Sequence, residues 1–304
     1  MNNYLITVVG ATAIGKTSLS IALAKYFNAE IISCDSRQFY KEMKIGTAVP
    51  SDKELSEAIH HFIQNKSIHD EYNVGQFEKD ALAKLEQLFK KNNIVVLVGG
   101  SGLYVDAVLK GLDYFPKIDT HIRKNLNIRL EKKGLENLQT QLASLDPETY
   151  KKIDEKNPHR VIRALEVCLG TEKPFSFYKN QPKAKRNFIS IKIGLDAKRE
   201  IIYQRIEQRV DIMIKEGLVE EAKKLYKHKK LNALQTVGYR ELFQYFDEDF
   251  TLDFAISEIK KNTRRFAKRQ NTWFKKDTEI KWFDFMENYD EVIKFVEGFV
   301  GKIN

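Results

Sequence analysis

Three short apolar runs stand out along the chain, at positions 4–9, 30–34 and 94–98, and none of them alternates with polar residues. Unbroken runs of this length fit strands of a parallel sheet covered on both faces. Helical spacing separates them. Positions 18–27 put Leu19, Leu23 and Phe27 on one side, and positions 76–90 form a second amphipathic stretch. Strand and helix in alternation predict an α/β fold built on a parallel sheet.

After Gly111 the texture changes. Positions 119–133 are amphipathic and basic, and Asp146-Pro147 and Asn157-Pro158 each read as an N-cap followed by proline at the first helical position. The second of these starts a helix expected over 158–169. A connector rich in Pro and Lys spans 173–187, and a strand pattern returns at 188–195. Positions 113–187 are therefore expected to form a helical insertion, with 1–112 and 188–304 making one core. The remainder predicts helices over 198–227, 239–246 and 252–276, with Trp282 and Phe283 on a short last strand.

Composition sharpens this outline. The chain has 304 residues, 42 % of them hydrophobic and 31 % charged, which suits a folded protein with a sizeable core. No apolar stretch approaches membrane-spanning length. The start, MNNYLITVVG, lacks the basic region and cleavage site of a signal peptide. Cys34 and Cys168 are expected to be two buried thiols in a reducing compartment. The net charge of +9 is concentrated, because the window from Lys260 to Lys276 holds eight Lys or Arg and no Asp or Glu. At about 100° per residue all eight fall on one half of a helix, and Phe266, Ala267, Trp273 and Phe274 fall on the other. Eight like charges without an acid would repel one another, so a polyanionic partner is expected there. A membrane surface is the alternative for a basic amphipathic helix. Trp273 and Phe274, read as core anchors, favour nucleic acid.

Gly10-Ala11-Thr12-Ala13-Ile14-Gly15-Lys16-Thr17 matches G-x-x-x-x-G-K-[ST], after a strand and before a helix. The two glycines let the backbone curl so that successive N–H groups face an anion, and the helix N-terminus adds its positive end. Lys16 supplies a mobile charge, and the Thr17 hydroxyl can ligate Mg2+. The loop reads a polyphosphate and says nothing of what carries it. A nucleotide hydrolase would also place an acid at the end of a core strand, yet the 94–98 strand ends in Gly99-Gly100. Those glycines fit either a ligand approaching the backbone or a plain tight turn. Asp35 lies just past a core strand, where open sheets bind ligands. It could act as a general base, a metal partner or a simple cap. Gln38 could read a base edge with its amide.

Six blocks occur in order: GATAIGKT, DSRQFYKEMKIGTAVP, VGGSGLYVDAVLKG, NPHRVIRALEV, TVGYRE and TRRFAKRQNTWFKK. Together, over about residues 4–283, they resemble the bacterial-type tRNA dimethylallyltransferases, also called tRNA isopentenyltransferases. The resemblance implies a P-loop, kinase-like α/β core with an inserted helical domain. It implies transfer of a dimethylallyl group from dimethylallyl diphosphate to N6 of adenosine 37, beside the anticodon of tRNAs that read codons starting with U. It further implies Mg2+ as cofactor, the tRNA anticodon stem-loop as partner, and a cytoplasmic monomer with no membrane association.

Position by position, the resemblance implies that Gly10, Ala11, Thr12, Ala13, Ile14, Gly15, Lys16 and Thr17 bind the diphosphate, with Thr17 on the metal. Asp35 matches the general base, and Arg209 an arginine on the diphosphate. Asp35, Ser36, Arg37 and Gln38, then Ser101 and Arg123, match tRNA contacts. So do His159, Arg160, Val161, Ile162 and Arg163, and finally Gln235, Thr236, Val237, Gly238, Tyr239 and Arg240. Departures are few. Ala11 and Ile14 replace the usual Pro and Ser of the loop, so Ile14 loses a hydroxyl and could change donor affinity. Ser101 replaces a Thr. Two rivals stand beside this reading. One is a P-loop kinase or ATPase acting on a nucleotide or RNA, for which no strand-end acid can be placed. The other is an RNA-binding protein with a vestigial loop, against which intact Lys16, Thr17 and Asp35 argue.

Overall fold

The computed structural model describes residues 2–179 and 181–301; Asn180, in the expected connector, lies outside the described residues. The chain begins with β1 (Tyr4–Gly10), the phosphate-loop segment and α1 (Lys16–Tyr26). Next come β2 (Ile31–Ser33), α2 (Asp52–Glu57), β3 (His60–His61), α3 (Val74–Leu88), β4 (Ile94–Val98) and α4 (Gly102–Lys110). The helices α5 (Thr120–Leu145), α6 (Pro147–Lys152) and α7 (Pro158–Thr171) follow. The chain continues through β5 (Ile189–Asp196), α8 (Arg199–Lys215), α9 (Leu218–Leu225), α10 (Tyr239–Phe246), α11 (Leu252–Phe274), β6 (Lys281–Asp284) and α12 (Tyr289–Val300). The six strands form one parallel sheet in the order β3-β2-β4-β1-β5-β6.

Burial on both faces explains the unbroken apolar runs. Ile6 and Val8 of β1 pack with Leu19 and Leu23 of α1, Ile202 and Ile206 of α8, and Val292 and Val296 of α12. Leu5 and Val9 point the other way, onto Phe77 and Leu85 of α3 and Val105 of α4. A third cluster joins Met43, Val210, Leu218, Leu234, Tyr239 and Ile259 around α9 and α10. Here the Glu221 carboxylate accepts backbone N–H bonds from Lys44 (3.0 Å), Ile45 (2.8 Å) and Gly46 (2.9 Å), and the Tyr239 hydroxyl donates to it at 2.6 Å.

The chain divides into two compact units, one up to Lys110 and from Arg186 onward, the other Gly111–Lys185. In the second unit, Leu126, Leu138 and Leu142 of α5 pack on Val161, Ile162 and Leu165 of α7. Asp146 caps α6 through Thr149 N (2.9 Å) and also takes Ser176 N (2.8 Å), while Asn157 caps α7.

Several boundaries differ from expectation for local reasons. The helix expected over 198–227 breaks at Gly217, whose φ of 100° closes α8 and opens α9. The α5 helix runs past 133 but kinks at Gly134, with φ 75°. The Asn73–Gln76 capping box starts α3 two residues before position 76. Lys275 and Lys276 lie beyond the end of α11. The β3 strand, two residues long, carries too little pattern to detect.

The paired glycines after β4 resolve a question left open by the sequence. A Cβ on Gly99 would stand 2.3 Å from the Cys34 carbonyl oxygen, and one on Gly100 would stand 2.2 Å from Gln270 Nε2. It is the chain itself that comes close. We expect Gly99→Ala to lower folding stability by about 1–3 kcal/mol, the usual cost of overpacking against atoms that cannot retreat. The midpoint of urea unfolding checks this; an unchanged midpoint would show that the Cys34 strand end can move aside.

Candidate active site

The phosphate-loop sequence folds as its glycines demand. Gly10 has φ 145° and Gly15 φ 109°, and Ala13 between them is also left-handed at 63°. A Cβ on Gly10 would meet the Leu195 carbonyl oxygen of β5 at 2.6 Å, so only glycine fits there. The Ala11 and Ile14 side chains are buried in the core, at 0 % and 1 % exposure. The Ile14 side chain is thus packed into the core.

Three side chains from distant segments fasten the loop. Gln270 of α11 accepts from Thr12 N at 2.8 Å and donates to Gly100 O at 2.9 Å. Arg205 Nε of α8 donates to Ala13 O at 2.7 Å. Arg209 Nη1, one turn further on, donates to Thr12 Oγ1 at 3.3 Å. Sequence reasoning placed Arg209 but missed Arg205 and Gln270. The i, i+4 spacing of the two arginines was a usable signal for the first; nothing local marked the second.

Lys16 folds back so that Nζ donates to Ala11 O at 2.6 Å. Burial first and the Arg209 charge second, partly offset by Asp35, bring its pKa down to about 7. Burial also lowers the pKa of Arg209, against the pull of Asp35 and Glu54. The Thr17 hydroxyl has no partner among the described residues. No group of three His, Cys, Asp or Glu able to hold a metal occurs among them either.

Asp35 follows β2, whose end is locked to β4 by the Cys34 N to Val98 O bond of 2.7 Å. Its Oδ1 accepts from Arg37 N at 2.9 Å, as a cap would. Its Oδ2 is not engaged by any described residue. Ser36 N donates to the Ser101 hydroxyl at 3.1 Å. Arg37 Nη1 donates to the carbonyls of Asn232 and Ala233 at 2.8 and 3.1 Å. The Gln38 amide, expected to read a base edge, is otherwise engaged. It donates to Thr47 O (3.2 Å) and Ala48 O (2.8 Å) and accepts from Ser33 Oγ (3.2 Å). The loop residues Thr12 to Thr17, Asp35, Gln38, Gly99, Gly100, Arg205 and Arg209 all line one cleft of about 840 Å³.

Other expected contact residues do not all reach a surface. Tyr239 is fully buried, so it belongs to the core rather than to an RNA interface. Val161 and Ile162 are likewise buried, at 0 % and 2 %. In the same stretch His159 and Arg160 are exposed, whereas Arg163 pairs with Glu166 at 3.1 Å and Arg123 approaches Glu166 at 3.8 Å. Gln235 is tied to Lys229 O at 2.6 Å, and Gly238 N to Glu241 at 2.8 Å. Thr236 and Val237 are partly exposed, and Arg240 is exposed.

The basic segment is less bare than its sequence. Lys260 pairs with Asp211 (2.6 Å), Arg264 with Glu207 (2.5 Å), Lys275 with Asp196 (2.8 Å), and Lys261 with Glu258. Acids from α8, from β5 and from earlier on α11 thus neutralise half of it. Lys268, Arg269 and Lys276 have no carboxylate partner among the described residues. Trp273 is not a core anchor: it is 42 % exposed, lies against Gly102 and donates to Asp106 at 2.9 Å.

With this geometry in place, comparison with known proteins gives one answer. The IPP transferase family model matches residues 38–277. A tRNA dimethylallyltransferase of Flavobacterium johnsoniae is 62 % identical over 299 residues, 96 % of this chain and 97 % of that one. Among solved structures, the tRNA isopentenylpyrophosphate transferase of Bacillus halodurans is 36 % identical, covers 98 % of this chain and 96 % of its own, and superimposes with a TM-score of 0.72. A eukaryotic dimethylallyltransferase acting on tRNA is 26 % identical over 98 % of this chain and 80 % of that one, with a TM-score of 0.82.

The Lys16 environment gives a test. Its charged form attracts an anion, and in the free protein that form is lost as pH rises through about 7. Affinity for inorganic diphosphate should therefore fall with rising pH relative to Lys16→Arg, whose guanidinium stays charged. Titration calorimetry of both proteins across this range isolates the lysine; parallel profiles would refute its depressed pKa.

Proposed function

The chain belongs to the IPP transferase family, and from that premise we propose that it transfers a dimethylallyl group from dimethylallyl diphosphate to N6 of adenosine 37 in tRNAs reading codons that start with U. The products are N6-dimethylallyladenosine and diphosphate. The observation that carries the reading is one cleft holding both the phosphate loop, with Lys16 and Arg209, and Asp35 with a free oxygen. Among the described residues no helix is long and apolar enough to cross a membrane. We infer a monomer acting in the cytoplasm.

The residues suit this chemistry. The exocyclic N6 is a weak nucleophile because its lone pair is delocalised into the ring, so help must come at the leaving group. Carbon–oxygen cleavage puts negative charge on diphosphate. The loop amides, Lys16 and Arg209 stand where that charge grows, and being held already they need not reorganise. Mg2+, when bound, would neutralise part of it. Thr17 would be its ligand on the protein, the described residues holding no group of three His, Cys, Asp or Glu able to bind a metal. As N6 bonds to carbon its proton becomes acidic, and Asp35 Oδ2 is the acceptor. Oδ1, held by Arg37 N, keeps the carboxylate oriented. The target base must leave the anticodon-loop stack to reach this cleft. Ser36, Arg37, Ser101 and Arg240 are the contacts we assign to tRNA on the first unit; within the second unit, taken by itself, we assign Arg123, His159, Arg160 and Arg163.

Two outcomes check this. Asp35→Ala should keep tRNA affinity and lose transfer by roughly two to four powers of ten, measured by mass spectrometry of nucleosides from tRNA incubated with dimethylallyl diphosphate and Mg2+. Transfer near the wild-type rate would remove Asp35 from the base role. The second concerns charge. Lys268→Gln and Arg269→Gln should each reduce the salt dependence of tRNA binding by roughly one phosphate contact, whereas Lys260→Gln, already paired with Asp211, should leave the slope almost unchanged. Equal effects of all three would show that the carboxylates let go when tRNA binds.

A further inference from the structure

The mechanism above leaves Arg205 without a task. It precedes Arg209 by one turn of α8, so both side chains leave the same helix face toward the loop. Its guanidinium lies over the Phe285 ring, 5.1 Å from the centroid, and has no carboxylate partner among the described residues. Among the described residues, the one hydrogen bond of the guanidinium goes to Ala13 O, at 2.7 Å.

That carbonyl belongs to the strained residue of the loop. Gly10 and Gly15 adopt positive φ freely, but Ala13 does so at 63° with a Cβ in place. A left-handed alanine is disfavoured by roughly tenfold or more against its ordinary conformations, so something must hold it. In a trans peptide the carbonyl and the following N–H point in opposite directions. Fixing Ala13 O therefore fixes where the N–H of Ile14 points. The Ile14 side chain is buried while the residue still lines the cleft, so its backbone is what a ligand meets.

We propose that Arg205 is a positioning residue: its Nε–H pins the Ala13 carbonyl, so that the left-handed Ala13–Ile14 peptide offers its N–H to the diphosphate. This rests on the diphosphate-binding role given to the loop above, and it adds a device that keeps the loop in its binding shape before the donor arrives. Preorganised donors of this kind strengthen binding without moving during the reaction.

The test uses two variants of the full chain. Arg205→Gln should weaken binding of inorganic diphosphate with Mg2+, and raise the KM for dimethylallyl diphosphate, by about tenfold, the factor by which a released alanine prefers other conformations. The KM for tRNA should not move. Placing Ala13→Gly in the Arg205→Gln background should recover most of that loss, because glycine takes up φ near 60° unaided. Donor binding unchanged in Arg205→Gln overturns the proposal. A loss that glycine does not relieve also overturns it, since Arg205 would then act by charge alone. Loss of tRNA affinity together with donor affinity marks a folding role and overturns it equally. Wild-type protein that binds no diphosphate overturns the loop assignment itself, and the proposal with it.

Discussion

One buried amide holds the site together. Gln270 reaches from α11 to accept the Thr12 N–H and donate to the Gly100 carbonyl, joining the turn after β1 to the turn after β4. Both turns leave adjacent central strands at the same, carboxyl end, and Gln270 ties one to the other. The bond also bears on the composition around it: a Cβ on Gly100 would displace the Gln270 amide from both its partners. Losing either partner would strand a buried polar group, which costs more than the hydrogen bond contributes.

From that bridge the rest of the cleft follows. The strand ends of β2 and β4 meet because Gly99 lets the Cys34 carbonyl approach, and this sets Asp35 beside the loop. On the opposite flank α8 supplies Arg205 and Arg209 from a single face. Two arginines and a lysine share this place, and burial above all, with a smaller contribution from neighbouring positive charge, depresses the pKa values of Lys16 and Arg209. An anion beside these groups would favour their charged forms.

The fold was largely legible because its signals are local. Continuous runs marked β1, β2 and β4, and Asp146-Pro147 and Asn157-Pro158 marked two helix starts. The phosphate loop was legible down to its glycines. What the sequence hid was distance in the chain. That Glu207, Asp211 and Asp196 would neutralise Arg264, Lys260 and Lys275 depends on α8 and β5 packing beside α11, and no window of the sequence contains both partners. For the same reason Tyr239, Val161 and Ile162 looked like interface residues when read in their motifs and proved to be core. A motif records that a residue type is required and is silent on whether ligand or packing requires it. Gln38 illustrates the point: its amide suits a nucleobase and equally suits the two carbonyls at Thr47 and Ala48 that it meets.

The bonds around Glu221 have a consequence of their own. Three consecutive backbone N–H groups, of Lys44, Ile45 and Gly46, converge on one carboxylate, an arrangement of the same kind as an anion-binding nest. Lys44 and Ile45 border the same cleft as the phosphate loop. Glu221, an anion tethered to the chain, takes up these donors itself, so that none of the three is offered to the cleft.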